Sequence, residues 1–202
     1  MSFASDARGE LAREACRERC CARSELAAAL LCSGGISFKG LGRYALSITA
    51  TDGAVARRYF SILKQFWGVT AEIRTLHTDA LNGQVRYQLQ IPQDSSIQLL
   101  EETRLMDPEA LFGVRMAPRP ELVEGDCCKR AFLRSTFLLC GAVSSPEREY
   151  HFEMALPNED LADYVIEIMK YYEMPTKKAC RKAKFVVYLK IAEEISAALS
   201  LI

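Results

Sequence analysis

Eight cysteines and two histidines are the side chains in this chain best suited to bind or to react. Five thiols, Cys16, Cys20, Cys21, Cys127 and Cys128, fall into two groups that could form a thiolate zinc site. Adjacent cysteines suit tetrahedral chelation less well than the usual spacing of roughly two to four residues. Free cysteine is more often a small buried hydrophobe, so the expectation is thiols packed at helix starts, with no metal and no cofactor. His77 and His151 stand in no ligand spacing, and no nucleophile-elbow glycine pattern is present. Gly34-Gly35 lacks the lysine of a phosphate loop. The basic residues are better candidates. From Met174 to Ala192 the chain carries Lys177, Lys178, Arg181, Lys182, Lys184 and Lys190 and no acid. Such a strip can approach phosphates; a solvated face is the common alternative.

Side-chain alternation along a strand decides which of these residues share a face. If Phe185, Val187, Leu189 and Ile191 face a core, then Lys184, Tyr188 and Lys190 face away from it. In the first half the same phase exposes Arg86, Gln88 and Gln90, with Arg74 on the preceding strand. Arginine, lysine, glutamine and tyrosine suit phosphates and base edges. Glu72 and Glu153 share the face and dilute its charge.

These residues lie in a chain that repeats itself. Cys20, Cys21, Leu26, Gly34 and Ser37 recur as Cys127, Cys128, Leu133, Gly141 and Ser144, all at an offset of 107. Val55, Tyr59, Phe60 and Leu63 meet Leu161, Val165, Ile166 and Met169 at an offset of 106, and Leu89 and Ile91 meet Leu189 and Ile191 at 100. Offsets that change only in turns, while apolar positions stay in phase, mark a structural repeat. Net charge is zero, from 26 basic and 26 acidic residues. No apolar run approaches the roughly 18 residues of a membrane span. The N-terminus is not a basic-then-apolar export signal, so eight cysteines favour a reducing cytosol over a disulfide framework.

The elements follow from periodicity and caps. Ser5 and Asp6 cap a helix to about Cys20, and Ser24 caps a second that ends at Gly34-Gly35. A strand around Tyr44, Leu46 and Ile48 leads through Thr51-Asp52-Gly53 into a helix to Trp67. Strands 70–78 and 84–91 flank an Asn82-Gly83 turn, and a helix covers 95–105. Residues 1–106 form the first half and the proline-bearing stretch 107–126 a connector. The second half, 127–202, has helix 127–141, strand 149–155, helix 158–172, strands 176–182 and 184–190, and a helix from 192.

Leu26–Gly34 and Leu133–Gly141 resemble the LAGLIDADG motif of homing endonucleases. The resemblance implies an α+β fold of two pseudo-twofold αββαββα halves that form a DNA-binding saddle. The paired helices would meet through Leu26, Ala28, Leu31 and Gly34 and through Leu133, Ser135, Leu138 and Gly141. In those enzymes the acid before each final glycine binds the catalytic metal; here the positions are Ser33 and Cys140. Hydroxyl and thiol are poor ligands for magnesium, so no catalysis is expected. The Asp126–Arg134 block, Pro146-Glu147, Tyr150–Glu153, the opening Met1-Ser2-Phe3 and Val186–Lys190 more closely resemble the WhiA family of bacterial transcriptional regulators. That resemblance implies roles in sporulation and cell division, a cytoplasmic, nucleoid-associated protein, and a helix-turn-helix domain after the present C-terminus. The implied partner is DNA, bound weakly through Arg74, Arg86, Gln88, Lys177, Lys178, Arg181, Lys182, Lys184, Tyr188 and Lys190, and specifically once the reading domain is attached. Other regulatory proteins are further candidate partners, and no membrane contact is implied. The alternative from the residues alone is a protein-interaction module whose saddle no longer binds DNA.

Overall fold

The chain opens with α1 (Phe3–Leu11), which does not run on to Cys20. Ser5 and Asp6 lie within it instead of capping it, and Ser5 Oγ donates to Asp52 Oδ2 at 3.4 Å. Arg58 ends the helix by taking the carbonyls of Ala12, at 3.3 Å, and Glu14. Those acceptors would otherwise serve the next helical turn, and like charges four residues apart (Glu10 and Glu14, Arg13 and Arg17) also oppose it. The computed structural model describes residues 3–78, 84–145, 147 and 149–202. The opening Met1-Ser2, the Asn82-Gly83 turn signal and Pro146 lie outside the described residues.

The second helix, α2 (Arg19–Ser33), starts before Ser24 and does not use it as a cap. Ser24 is buried inside the helix and donates to the carbonyls of Cys20 (3.1 Å) and Leu122 (2.7 Å). The Cys20-Cys21 pair therefore occupies the first turn. The chain then passes without a loop into β1 (Gly34–Phe38). A Cβ on Gly34 would stand 2.3 Å from Leu30 O and 2.5 Å from Leu30 Cα, so only glycine can leave the helix in this direction. After β2 (Tyr44–Ala50), Asp52 Oδ1 accepts from Ala54 N at 2.7 Å and starts α3 (Gly53–Trp67). Gly68, at φ 67°, closes it. β3 (Glu72–Thr78), β4 (Gln84–Ile91) and α4 (Gln93–Glu102) complete the first half.

The connector is not open loop. It holds two 3-10 turns, Leu111–Gly113 and Pro120–Val123, and buries Leu122 and Val123. The plan then repeats as α5 (Asp126–Cys140), β5 (Gly141–Val143), β6 (Phe152–Leu156), α6 (Glu159–Tyr171), β7 (Lys177–Arg181), β8 (Lys184–Leu189) and α7 (Ala192–Leu201). Two antiparallel four-stranded sheets result, ordered β1-β2-β4-β3 and β5-β6-β8-β7. Matching orders make the duplication visible in three dimensions. Periodicity reveals three strands per half; the fourth, β1 or β5, begins on the glycine that ends its helix and exists through pairing with β2 or β6. Helices α2 and α5 pack against each other, and one apolar core runs through both halves. Ile191 does not join it: 54% exposed, it caps α7.

Candidate nucleic-acid interface

The two motif helices meet closely because small residues line their contact. Ala27, Ala28 and Ala29 are fully buried, as is Ser135; Leu26, Leu31, Leu133 and Leu138 are buried around them. Ser135 Oγ donates across the contact to Glu25 O at 2.7 Å, so the Tyr59 hydroxyl 2.7 Å away must donate to Ser135. At the C-terminal ends, Ser33 Oγ is buried without a hydrogen-bond partner among the described residues. Cys140 Sγ lies 3.4 Å from Cys32 O. A separate side-chain hydrogen bond between the two thiols, together with burial, holds the Cys32 thiol well above its ordinary pKa. The same bond lowers Cys140, and the Lys184 ammonium acts in the same direction. Arg8 donates to Gly141 O at 3.0 Å, placing a second cation at the negative end of α5.

Register fixes the outer sheet faces, because paired residues point to the same side. Leu46, Ile48, Leu89 and Ile91 turn inward to the helices. The opposite face of the first sheet carries Ser47 and Thr49 beside Gln90 and Gln88, then Glu72 and Arg74. Arg86 continues the same face of β4. In the second sheet Glu153 and Lys177 both pair with Tyr188, and Arg181 pairs with Lys184. Lys184 and Tyr188 thus face outward as alternation requires, and the Lys190 ammonium lies 5.7 Å from the Tyr188 ring centre. Lys178 does not belong to this face. It pairs with buried Val187, and its ammonium binds Glu159 at 2.9 Å and Asp163 at 2.5 Å on α6. Lys182 sits in the β7–β8 turn at φ 46°, outside the strand. Two acids on the face itself dilute its charge: Glu72 pairs with Arg74 at 2.9 Å, and Glu153 lies 3.5 Å from Arg181 and 2.8 Å from His151. Among the described residues Lys177, Lys182 and Lys184 have no ion-pair partner.

Residues 19–106 match the model of the WhiA N-terminal LAGLIDADG-like domain, and residues 129–202 that of the WhiA LAGLIDADG-like domain. The chain belongs to the WhiA family. A "probable cell division protein WhiA" of Desulforamulus reducens is 33% identical over 201 residues, covering 100% of this chain and 62% of the relative. Its counterpart in Natranaerobius thermophilus is 33% identical over 202 residues, with the same coverage. The chain therefore spans about three fifths of the length of the curated WhiA relatives it matches. Among solved structures, full-length DUF199/WhiA from Thermatoga maritima superposes with a TM-score of 0.73 at 17% identity, covering 100% of this chain and 61% of that one. The homing endonuclease I-DmoI in complex with DNA and Mn gives 0.57 at 15% identity, covering 89% and 94%. These structural likenesses concern the fold alone.

Of two further features of this WhiA-family chain, the residues alone miss the first and offer the second only as a possible thiolate group that includes Cys16. The first is a buried charge network. Glu25, fully buried on α2, receives Arg58 Nε at 2.7 Å and Nη2 at 2.6 Å, and Arg134 Nη1 at 3.2 Å. The Glu25 hydrogen bonds hold the Arg58 guanidinium above its ordinary pKa despite burial. The available signal is Arg58's position on the apolar stripe of α3, in phase with Val55 and Ile62. The second is the sulfur cluster. Cys20, Cys21, Cys127 and Cys128 bring all four Sγ atoms within 4.8 Å of one another, and Cys16 is not among them. They form the one such group of His, Cys, Asp or Glu among the described residues, so no comparable carboxylate cluster stands at Ser33 and Cys140.

Proposed function

We propose that this chain is the non-catalytic, DNA-associated saddle of a WhiA-type transcriptional regulator acting in cell division and sporulation. The observation that carries the reading is the outer sheet face, where Arg86, Lys177 and Lys184 stand beside Gln88, Gln90 and Tyr188 and, among the described residues, these three cations make no ion pair. Such a face meets phosphates first and base edges second. At the helix ends, where an endonuclease needs carboxylates for a hard metal, this chain has a hydroxyl and a thiol. Two of its own cations, Arg8 and Lys184, act on that end. The chemistry of hydrolysis is lost while the surface suited to DNA is kept. Sequence-specific reading belongs to a domain beyond this chain.

The test is a binding titration on labelled duplex DNA at several salt concentrations, run with and without magnesium or manganese. Binding that weakens steeply with salt, and intact DNA in every lane, are the expected results. Metal-dependent nicking by clean protein, abolished by Ser33→Ala or Cys140→Ala, would overturn the non-catalytic part. A second reading, a protein-docking saddle, is favoured by the Glu72–Arg74 and Glu153–Arg181 pairs, which neutralise part of the face. Absence of DNA binding even at low salt would select it.

A further inference from the structure

We propose that Cys20, Cys21, Cys127 and Cys128 hold one zinc ion as a four-thiolate structural site that clasps the two halves at the head of the helix pair. Geometry is the first support. Four zinc–sulfur bonds of about 2.3 Å in a tetrahedron set the sulfurs about 3.8 Å apart. Here Cys127 Sγ and Cys128 Sγ are 3.9 Å apart, and no pair in the cluster exceeds 4.8 Å. Small χ1 adjustments close the remaining gap. The backbone has already met the difficulty of chelation by adjacent residues, because each pair sits in the first turn of its own helix and the two helix starts converge. Gly125 helps: a Cβ there would lie 3.6 Å from Cys127 Sγ and 3.8 Å from Cys128 Sγ, so the connector runs against the sulfurs.

Charge is the second support. Metal-bound cysteines are thiolates, and helix N-termini stabilise thiolates through the dipole and unpaired N–H groups. Neither N-cap, Glu18 nor Gly125, makes a side-chain cap bond, and the first turn of α2 holds no acid. Asp126, the acid in the first turn of α5, is engaged by Arg130 at 2.9 Å and the Tyr172 hydroxyl at 2.8 Å. Arg23 and Lys129 flank the pairs in sequence, while Arg19 is held by Glu102 at 2.7 Å and Arg130 by Asp126 at 2.9 Å. Soft sulfur donors select zinc over magnesium or calcium. A cluster of several irons would need the sulfurs further apart than they stand.

The site's place defines its role. Four protein ligands make a closed structural centre with no open position for substrate. It lies nearly a helix length, about 18–20 Å at 1.5 Å per residue, from Ser33 and Cys140. Its ligands come equally from both halves, so the ion joins Cys21 to Cys127 across a long intervening chain and restricts the unfolded state. Cys16 and Cys180 lie outside the cluster and serve as controls.

The chain is purified under reducing conditions with zinc present, and metal is measured by elemental mass spectrometry, then by cobalt exchange. About one equivalent of zinc is expected, with the visible bands and near-ultraviolet charge transfer of tetrahedral cobalt in four thiolates. Cys20→Ser and Cys127→Ser should each retain less than about a tenth of that metal, while Cys16→Ser and Cys180→Ser retain all of it. Stripping the wild type with a chelator should lower its melting temperature by about 5 °C or more, restored by zinc. A folded, fully reduced wild-type chain that takes up neither zinc nor cobalt overturns the proposal. So does a cobalt spectrum left unchanged by Cys127→Ser, or a cluster found only as disulfides under the same reducing conditions.

Discussion

Glu25 shows how much one residue can decide. Its carboxylate is out of contact with water, held by Arg58 and Arg134, while its backbone carbonyl accepts from Ser135. The same Arg58 ends α1 through Ala12 and Glu14 and so sets where the first helix stops. Removing one partner of such a pair leaves a buried charge uncompensated, which costs more than the pair itself contributes. Arg58→Met should therefore destabilise the chain by about 3–5 kcal/mol. Glu25→Leu combined with Arg58→Met should recover much of that loss, since packed apolar groups replace a buried ion pair well. Urea unfolding midpoints of the two variants decide the matter. A single variant within about 0.5 kcal/mol of wild type would mean that water reaches the site and the network is not a stability element.

At the scale of elements, local rules and partner-dependent rules separate cleanly. The Asp52 cap, the α3 stripe, and the alternation of Phe185, Val187 and Leu189 against Lys184 and Tyr188 are local signals, and they were legible. The repeat was legible too, because glycine is forced at both helix ends: a Cβ on Gly141 would stand 2.3 Å from the Phe137 ring and 2.5 Å from its carbonyl. What was not legible depends on distant partners. β1 and β5 have no alternation of their own, Ser24 looks like a cap until its hydroxyl is seen to donate to Leu122 O, and the basic run looks free of acids until Glu159 and Asp163 reach Lys178. The β7–β8 turn is a further case. Lys182 and Ala183 both adopt positive φ, 46° and 62°, in a two-residue hairpin that normally takes Asn-Gly. Each strained residue costs roughly 1 kcal/mol. Replacing the pair by Asn-Gly should raise stability by about 1–2 kcal/mol in thermal or urea unfolding. No gain would show that the hairpin adopts another turn in solution. The same double variant removes an unpaired cation from the tip, so it should weaken DNA binding even as it stabilises the fold.

For the whole molecule, zero net charge hides a division of labour. The arginines of the interior and the helix ends, Arg8, Arg58 and Arg134, are spent on structure. Arg74, Lys178 and Arg181 are matched by acids. On the outer sheet faces, among the described residues, a short row, Arg86, Lys177, Lys184 and Lys190, with Lys182 at the β7–β8 turn, is left without an ion pair to meet a polyanion. A row of that size sets the expected binding: weak, largely indifferent to sequence, and steeply dependent on salt. Each phosphate neutralised releases counterions worth a slope of roughly 0.9 on a log–log salt plot. Lys184→Gln with Lys190→Gln should flatten that slope by about one to two and weaken all duplexes alike, because phosphate contacts carry no sequence information. Lys178→Gln is the internal control. Its ammonium is already held by Glu159 and Asp163 on the helix side of the sheet, so its loss should leave the slope unchanged. Equal effects at Lys178 and at Lys184 with Lys190 would mean that net charge, not this face, governs binding. A double variant that binds like wild type would move the DNA surface off these strands altogether.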